Sequence, residues 1–97
     1  MTRGTTPTLT FDLPFETDGI TDGYITIAQR GARNLDLPIS RCTREGKTLT
    51  VTLSQEETLS LKTARAEIQL RLKFGERAMA SKIISADVGA ILKEGTI

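Results

Sequence analysis

Five stretches of the chain alternate apolar and polar residues with a period of two. Leu9, Phe11 and Leu13 alternate with Thr8, Thr10 and Asp12. Ile25 and Ile27 alternate with Thr26 and Ala28. Leu35, Leu37 and Ile39 alternate with Asp36 and Pro38. Leu49, Val51 and Leu53 alternate with Thr48, Thr50 and Thr52. Ile68, Leu70, Leu72 and Phe74 alternate with Gln69, Arg71 and Lys73. Successive side chains of an extended strand point to opposite faces, so each run has one dry face and one wet face. Threonine fills many wet positions, and its β-branch suits a pleated surface.

Glycine-bearing turns separate the runs. Asp18-Gly19 and Asp22-Gly23 lie between the first and second. Gly31 lies between the second and third, Glu45-Gly46 before the fourth, and Gly75-Glu76 after the fifth. Glycine supplies the positive φ that tight hairpins require. The pattern predicts strands near residues 6–13, 23–30, 34–40, 47–53, 65–74 and 77–87, and a shorter one near 88–92. Pro38 cannot donate to a ladder and marks the third strand as an edge. Slipped alternation near Ser81-Lys82-Ile83 predicts a bulge. Ser54-Gln55-Glu56-Glu57 reads as a capping box, opening a helical turn over 55–60 that drops Leu59 onto the core. The expected core includes Phe11, Ile27, Val51, Ile68, Leu70 and Leu72. Short strands at this spacing predict an all-β fold: one domain over 1–97, an immunoglobulin-like antiparallel β-sandwich of about seven strands with one short helical crossover.

Composition narrows the chemistry. There is no histidine, which removes the usual imidazole base and the common zinc ligand sets. The one cysteine, Cys42, has no partner for an intrachain disulfide and no imidazole to activate it. A formal net charge of +1 calls for neither nucleic acid nor an anionic membrane. No run is apolar enough to span a bilayer, and Met1-Thr2-Arg3-Gly4-Thr5 lacks the apolar core of a signal peptide. No enzyme activity, cofactor or metal is expected.

Three groups of residues invite a functional reading. Glu16, Asp18 and Asp22 are acidic, but their spacing does not match a calcium loop, and Asp-Gly is first a turn former. Glu56 and Glu57 are adjacent carboxylates that point in different directions from a first helical turn, where capping and the helix dipole account for them. Arg65, Arg71, Lys73, Arg77 and Lys82 cluster on the fifth and sixth predicted strands as a candidate partner-binding face. Glu67 and Gln69 share that face, and no aromatic is expected there to stack on bases. That argues against nucleic acid and for an acidic protein neighbour or plain solvation.

Three stretches carry a resemblance: Arg3-Gly4-Thr5-Thr6-Pro7-Thr8 with Leu9 and Phe11; Leu53 to Leu59 leading into Glu67-Ile68-Gln69-Leu70-Arg71; and Ala80-Ser81-Lys82-Ile83-Ile84 with Ile91-Leu92-Lys93-Glu94-Gly95. Together they resemble a family of short prophage proteins, of unassigned activity, from gut-dwelling Gram-positive bacteria. The middle stretch is also similar to sandwich domains at the N-terminus of phage baseplate and receptor-binding proteins. The resemblance implies a non-enzymatic virion accessory or adaptor (tail, baseplate or capsid decoration) that acts by protein–protein contact, with virion components as partners and a homo-oligomer left open. The alternative is a small phage-encoded inhibitor of a host defence protein or host enzyme. The implied location is the bacterial host cytoplasm during assembly, with the virion as its destination. No catalytic residue is carried over.

Overall fold

The alternating runs pair into two antiparallel sheets in the computed structural model, which describes residues 1–97. Strand accounts for 45% of the chain and helix for 11%, so the class is all-β. Eight strands form: β1 (Thr8–Asp12), β2 (Asp22–Ala28), β3 (Leu35–Pro38), β4 (Thr43–Glu45), β5 (Thr48–Thr52), β6 (Arg65–Phe74), β7 (Arg77–Ala80) and β8 (Ile84–Asp87). One sheet has the order β1-β5-β4. The other has the order β3-β2-β6-β7, with β8 also pairing β6.

This arrangement is immunoglobulin-like. β1, β5 and β4 stand where strands B, E and D stand in such a sandwich. β3, β2 and β6 take the places of C′, C and F, and β7 with β8 takes the place of G. The position of strand A beside β1 is empty. The N-terminus instead runs parallel to the end of the G strand: the Met1 ammonium donates to Asp87 O (2.8 Å), Gly89 N–H to Met1 O (2.7 Å) and Arg3 N–H to Gly89 O (3.1 Å).

The inward residues of both sheets form one core, with Ile25, Ile27, Leu37, Leu49, Val51, Leu53, Ile68, Leu70 and Leu72 all buried. β6 is the longest strand, and every second residue from Ala66 to Leu72 is buried. The β6–β7 hairpin closes through Gly75-Glu76, with Gly75 at φ +61°. β3 is an edge strand, and its Pro38 is found where a missing N–H costs no ladder bond.

The helical crossover is α1 (Gln55–Leu59), closed by the full capping box. Glu57 N–H donates to Ser54 Oγ (3.1 Å), and Ser54 N–H donates to Glu57 Oε1 (2.8 Å).

Five expectations need correction. Phe11 is only half-buried, because β1 is an edge with no strand A to cover its flank. The helix buries Thr58 rather than Leu59. The Thr58 hydroxyl donates to Thr5 O (2.8 Å), and the hydrophobic anchor after the helix is Leu61. The strand expected over 77–87 is two strands, split at the slip near Ser81. Ser81 N–H donates to Leu70 O (2.8 Å), and its Oγ accepts Leu70 N–H (3.0 Å), so a side chain replaces a ladder carbonyl. No strand forms over 88–92: Val88 is buried, Gly89 pairs with the N-terminal segment, and Leu92 is fully exposed. Finally, Thr43–Glu45 forms a strand that alternation does not reveal, because all three residues are exposed.

Candidate functional site

The outer face of the larger sheet carries the candidate residues. β6 turns Arg65, Glu67, Gln69, Arg71 and Lys73 outward by alternation with its buried residues. Register then sets their neighbours. Arg71 lies between Tyr24 on β2 and Ala80 on β7, with Pro38 beyond Tyr24. Lys73 lies between Asp22 and Ala78. Gln69 lies beside Thr26, with Asp36 beyond it.

The five basic candidates divide. Arg71 and Lys73 sit together, two residues apart on one face of one strand, about 7 Å along it. Arg65 shares that face but lies at the far end of β6, where it is paired in register with Asp87 and donates to Ser85 Oγ (2.8 Å). Arg77 is paired with Phe74 and so belongs to the opposite face. Lys82 lies between β7 and β8, outside the ladder. The face is therefore not a continuous basic stripe. It is a two-charge patch bordered by Asp22 and Asp36.

The wet face does carry an aromatic, contrary to the reading above. Tyr24 is 49% exposed and stands directly across from Arg71. Its parity with Thr26 in the sequence already placed it outward. What alternation does not give is the cross-strand register that sets it beside Arg71.

Tyr24, Arg71 and Lys73 line a shallow depression of about 480 Å³, with Asp22, Thr26 and Asp36 also on its walls. The floor is fixed. Thr26 Oγ1 donates to Asp36 Oδ1 (2.7 Å), and Asp22 Oδ1 accepts Gly23 N–H (2.8 Å). The carbonyl of Lys73 accepts from both Thr21 N–H (2.8 Å) and Thr21 Oγ1 (3.0 Å). Neither Arg71 nor Lys73 is in an ion pair; the two that form are Arg3–Glu94 and Arg41–Glu57. Both cations therefore remain available to an outside group.

The other candidates have local roles. Asp18 lies in a 3-10 turn (Thr17–Gly19) and Asp22 opens β2. They do not gather with Glu16 into a group able to hold a metal ion. Glu57 is occupied by the capping box and by Arg41, whose Nη2 donates to Glu57 Oε1 at 2.9 Å. That hydrogen bond holds the Glu57 carboxyl below its ordinary range. Cys42 is half-buried, and burial raises its thiol pKa despite Arg41 and Arg44 nearby.

Two arginines with purely internal partners gave no sequence signal. Arg3 donates to the carbonyls of Leu61 (2.8 Å) and Leu59 (3.0 Å), tying the N-terminus to the segment after α1. Arg44 donates to the carbonyls of Thr17 (3.2 Å) and Ile20 (2.9 Å), tying β4 to the first inter-sheet loop.

No protein-family model, curated protein or solved structure matches the chain. No helix is long and apolar enough to cross a membrane.

Proposed function

We propose that this sandwich is a contact module: a non-enzymatic accessory or adaptor protein of a phage particle, docking on another virion protein through the outer face of its larger sheet. The observation that carries the docking surface is the exposed Tyr24 set beside Arg71 and Lys73, two cations without acidic partners, on a pinned sheet. Tyrosine and arginine are the side chains that most often anchor interfaces, because they bring large rigid area and directed hydrogen bonds. A pinned backbone keeps the ordering cost of association low. The shallow floor suits a protruding acidic loop, whose carboxylates would meet Arg71 and Lys73 while Asp22 and Asp36 repel a misplaced one. The phage setting rests on the resemblance of the three sequence stretches described above.

The test is composition. Particles purified from an induced lysogen should contain the protein in fixed stoichiometry to a tail, baseplate or capsid protein. Its absence from particles, together with stoichiometric recovery on a host protein, would replace this reading with that of an inhibitor.

A further inference from the structure

The outer face of the larger sheet is complementary to itself. Register places Pro38, Tyr24, Arg71 and Ala80 in one row across it, and Asp22, Lys73 and Ala78 in the row beside it. On the other side of the Tyr24 row, Thr26 lies beside Gln69. In the first two rows the neighbours on β2 and β6 are chemical opposites: an aromatic beside a cation, and an acid beside a cation. Neither pair is closed within the chain. The ion pairs are Arg3–Glu94 and Arg41–Glu57, and the aromatic contact is Phe15 on Phe74.

Side chains in register on neighbouring strands point the same way, out of the sheet. A second copy can therefore satisfy them from above. Laid face to face on a two-fold axis that runs along the strands, between β2 and β6, it sets β2 of one copy over β6 of the other. Lys73 of each copy then meets Asp22 of the other, and Arg71 of each lies over the Tyr24 ring of the other, an arrangement that attracts a guanidinium. At the ends of the row Pro38 meets Ala80. An axis across the strands would instead set Arg71 on Arg71. Twisted sheets pack with their strands about 30° apart, so contact is closest near the Tyr24–Arg71 row and opens beyond the rows that flank it. Thr26 and Gln69, in the third row, bring no charge.

The patch spans four strands about 4.8 Å apart and roughly 20 Å of strand length. Two copies would then bury on the order of 1,000 Å² in total, the low end for a specific contact. Such a dimer forms and dissociates; it is not obligate.

We propose that the free protein is a symmetric dimer closed through this face. The proposal rests on the reading of the face as an interaction surface and adds its regulation: a virion partner must displace the second copy, because both use Tyr24, Arg71 and Lys73.

Sedimentation of the purified full-length chain from about 1 μM to about 1 mM should show a monomer–dimer equilibrium, shifted toward monomer by salt. Lys73→Glu and Asp22→Lys each set like charges against one another across the interface, and each should raise the dimer dissociation constant about tenfold or more. Mixed in equal amounts, the two variants should form a one-to-one dimer, because every facing pair is again opposite in charge. The exchanged chain, Asp22→Lys with Lys73→Asp, keeps opposite charges side by side within the sheet and should dimerise like wild type. A wild-type chain that is monomeric throughout would overturn the proposal. So would a dimer unchanged in both single variants, or one recovered neither in the mixture nor in the exchanged chain. These measurements use purified protein alone, so their failure leaves docking on a virion protein standing, and a failed pull-down from the lysogen leaves the dimer standing.

Discussion

A β-carbon on Gly23 would lie 2.6 Å from the carbonyl oxygen of Arg71 and 3.0 Å from Leu72 Cδ2. There is thus no room for a side chain at Gly23, which pairs with Leu72 next to the Tyr24–Arg71 pair, unless β6 shifts. Gly23→Ala should push the strands apart and cost about 1–3 kcal/mol, the usual range for overpacking. Chemical denaturation measures it. A loss near zero would mean that the strands separate here without resistance.

Leu70 is buried on the central strand, whereas Phe11 is half-buried on an edge. Leu70→Ala should cost about 2–5 kcal/mol. Phe11→Ala should cost less than its larger side chain suggests, because part of its area already faces water. Urea midpoints for the two variants test the order.

The capping box predicts a pH-dependent contribution. The Arg41 hydrogen bond lowers the Glu57 carboxyl pKa from its ordinary 4.5. A carboxyl whose folded pKa is depressed stabilises the fold above that ordinary value and loses the contribution as pH falls through the folded pKa. Ser54→Ala should cost about 1 kcal/mol at neutral pH. Glu57→Gln keeps a cap acceptor but removes the charge, so it should cost less, and its cost should vanish in acid. Denaturation of both variants at neutral and acidic pH separates the two effects.

Much of this was legible in the sequence. Period-two alternation set five of the eight strands, β1, β2, β3, β5 and β6, and the faces of β2, β5 and β6, because burial acts on alternate residues. Ser54 and Glu57 announced α1 through local hydrogen bonds. The slip at Ser81 marked the split between β7 and β8. What failed depends on neighbours distant in sequence. Phe11 looked like core, since alternation says which face a residue takes and not whether another strand covers it. β4 has no dry face and gave no signal. Grouping Arg65, Arg71, Lys73, Arg77 and Lys82 needed hairpin register: it turns Arg77 to the other face and puts Tyr24 beside Arg71.

Burial raises the Cys42 thiol pKa above its ordinary 9.0. The thiolate, not the thiol, is the nucleophile, so Cys42 should alkylate more slowly in the folded chain than in a short peptide. Folding should not respond to reductant, because there is no second cysteine. Iodoacetamide kinetics on native and urea-unfolded protein check this, and equal rates would contradict it.

Docking through the outer face is tested by Arg71→Glu combined with Lys73→Glu. Both positions are exposed, so the fold and melting temperature should be unchanged. Tagged wild-type and double-variant chains are produced in an induced lysogen, and the proteins recovered with each are quantified by mass spectrometry. The expected result is a virion protein recovered stoichiometrically with wild type and at background with the double variant. Recovery of the same partner in the same amount with both chains would show that Arg71 and Lys73 do not dock.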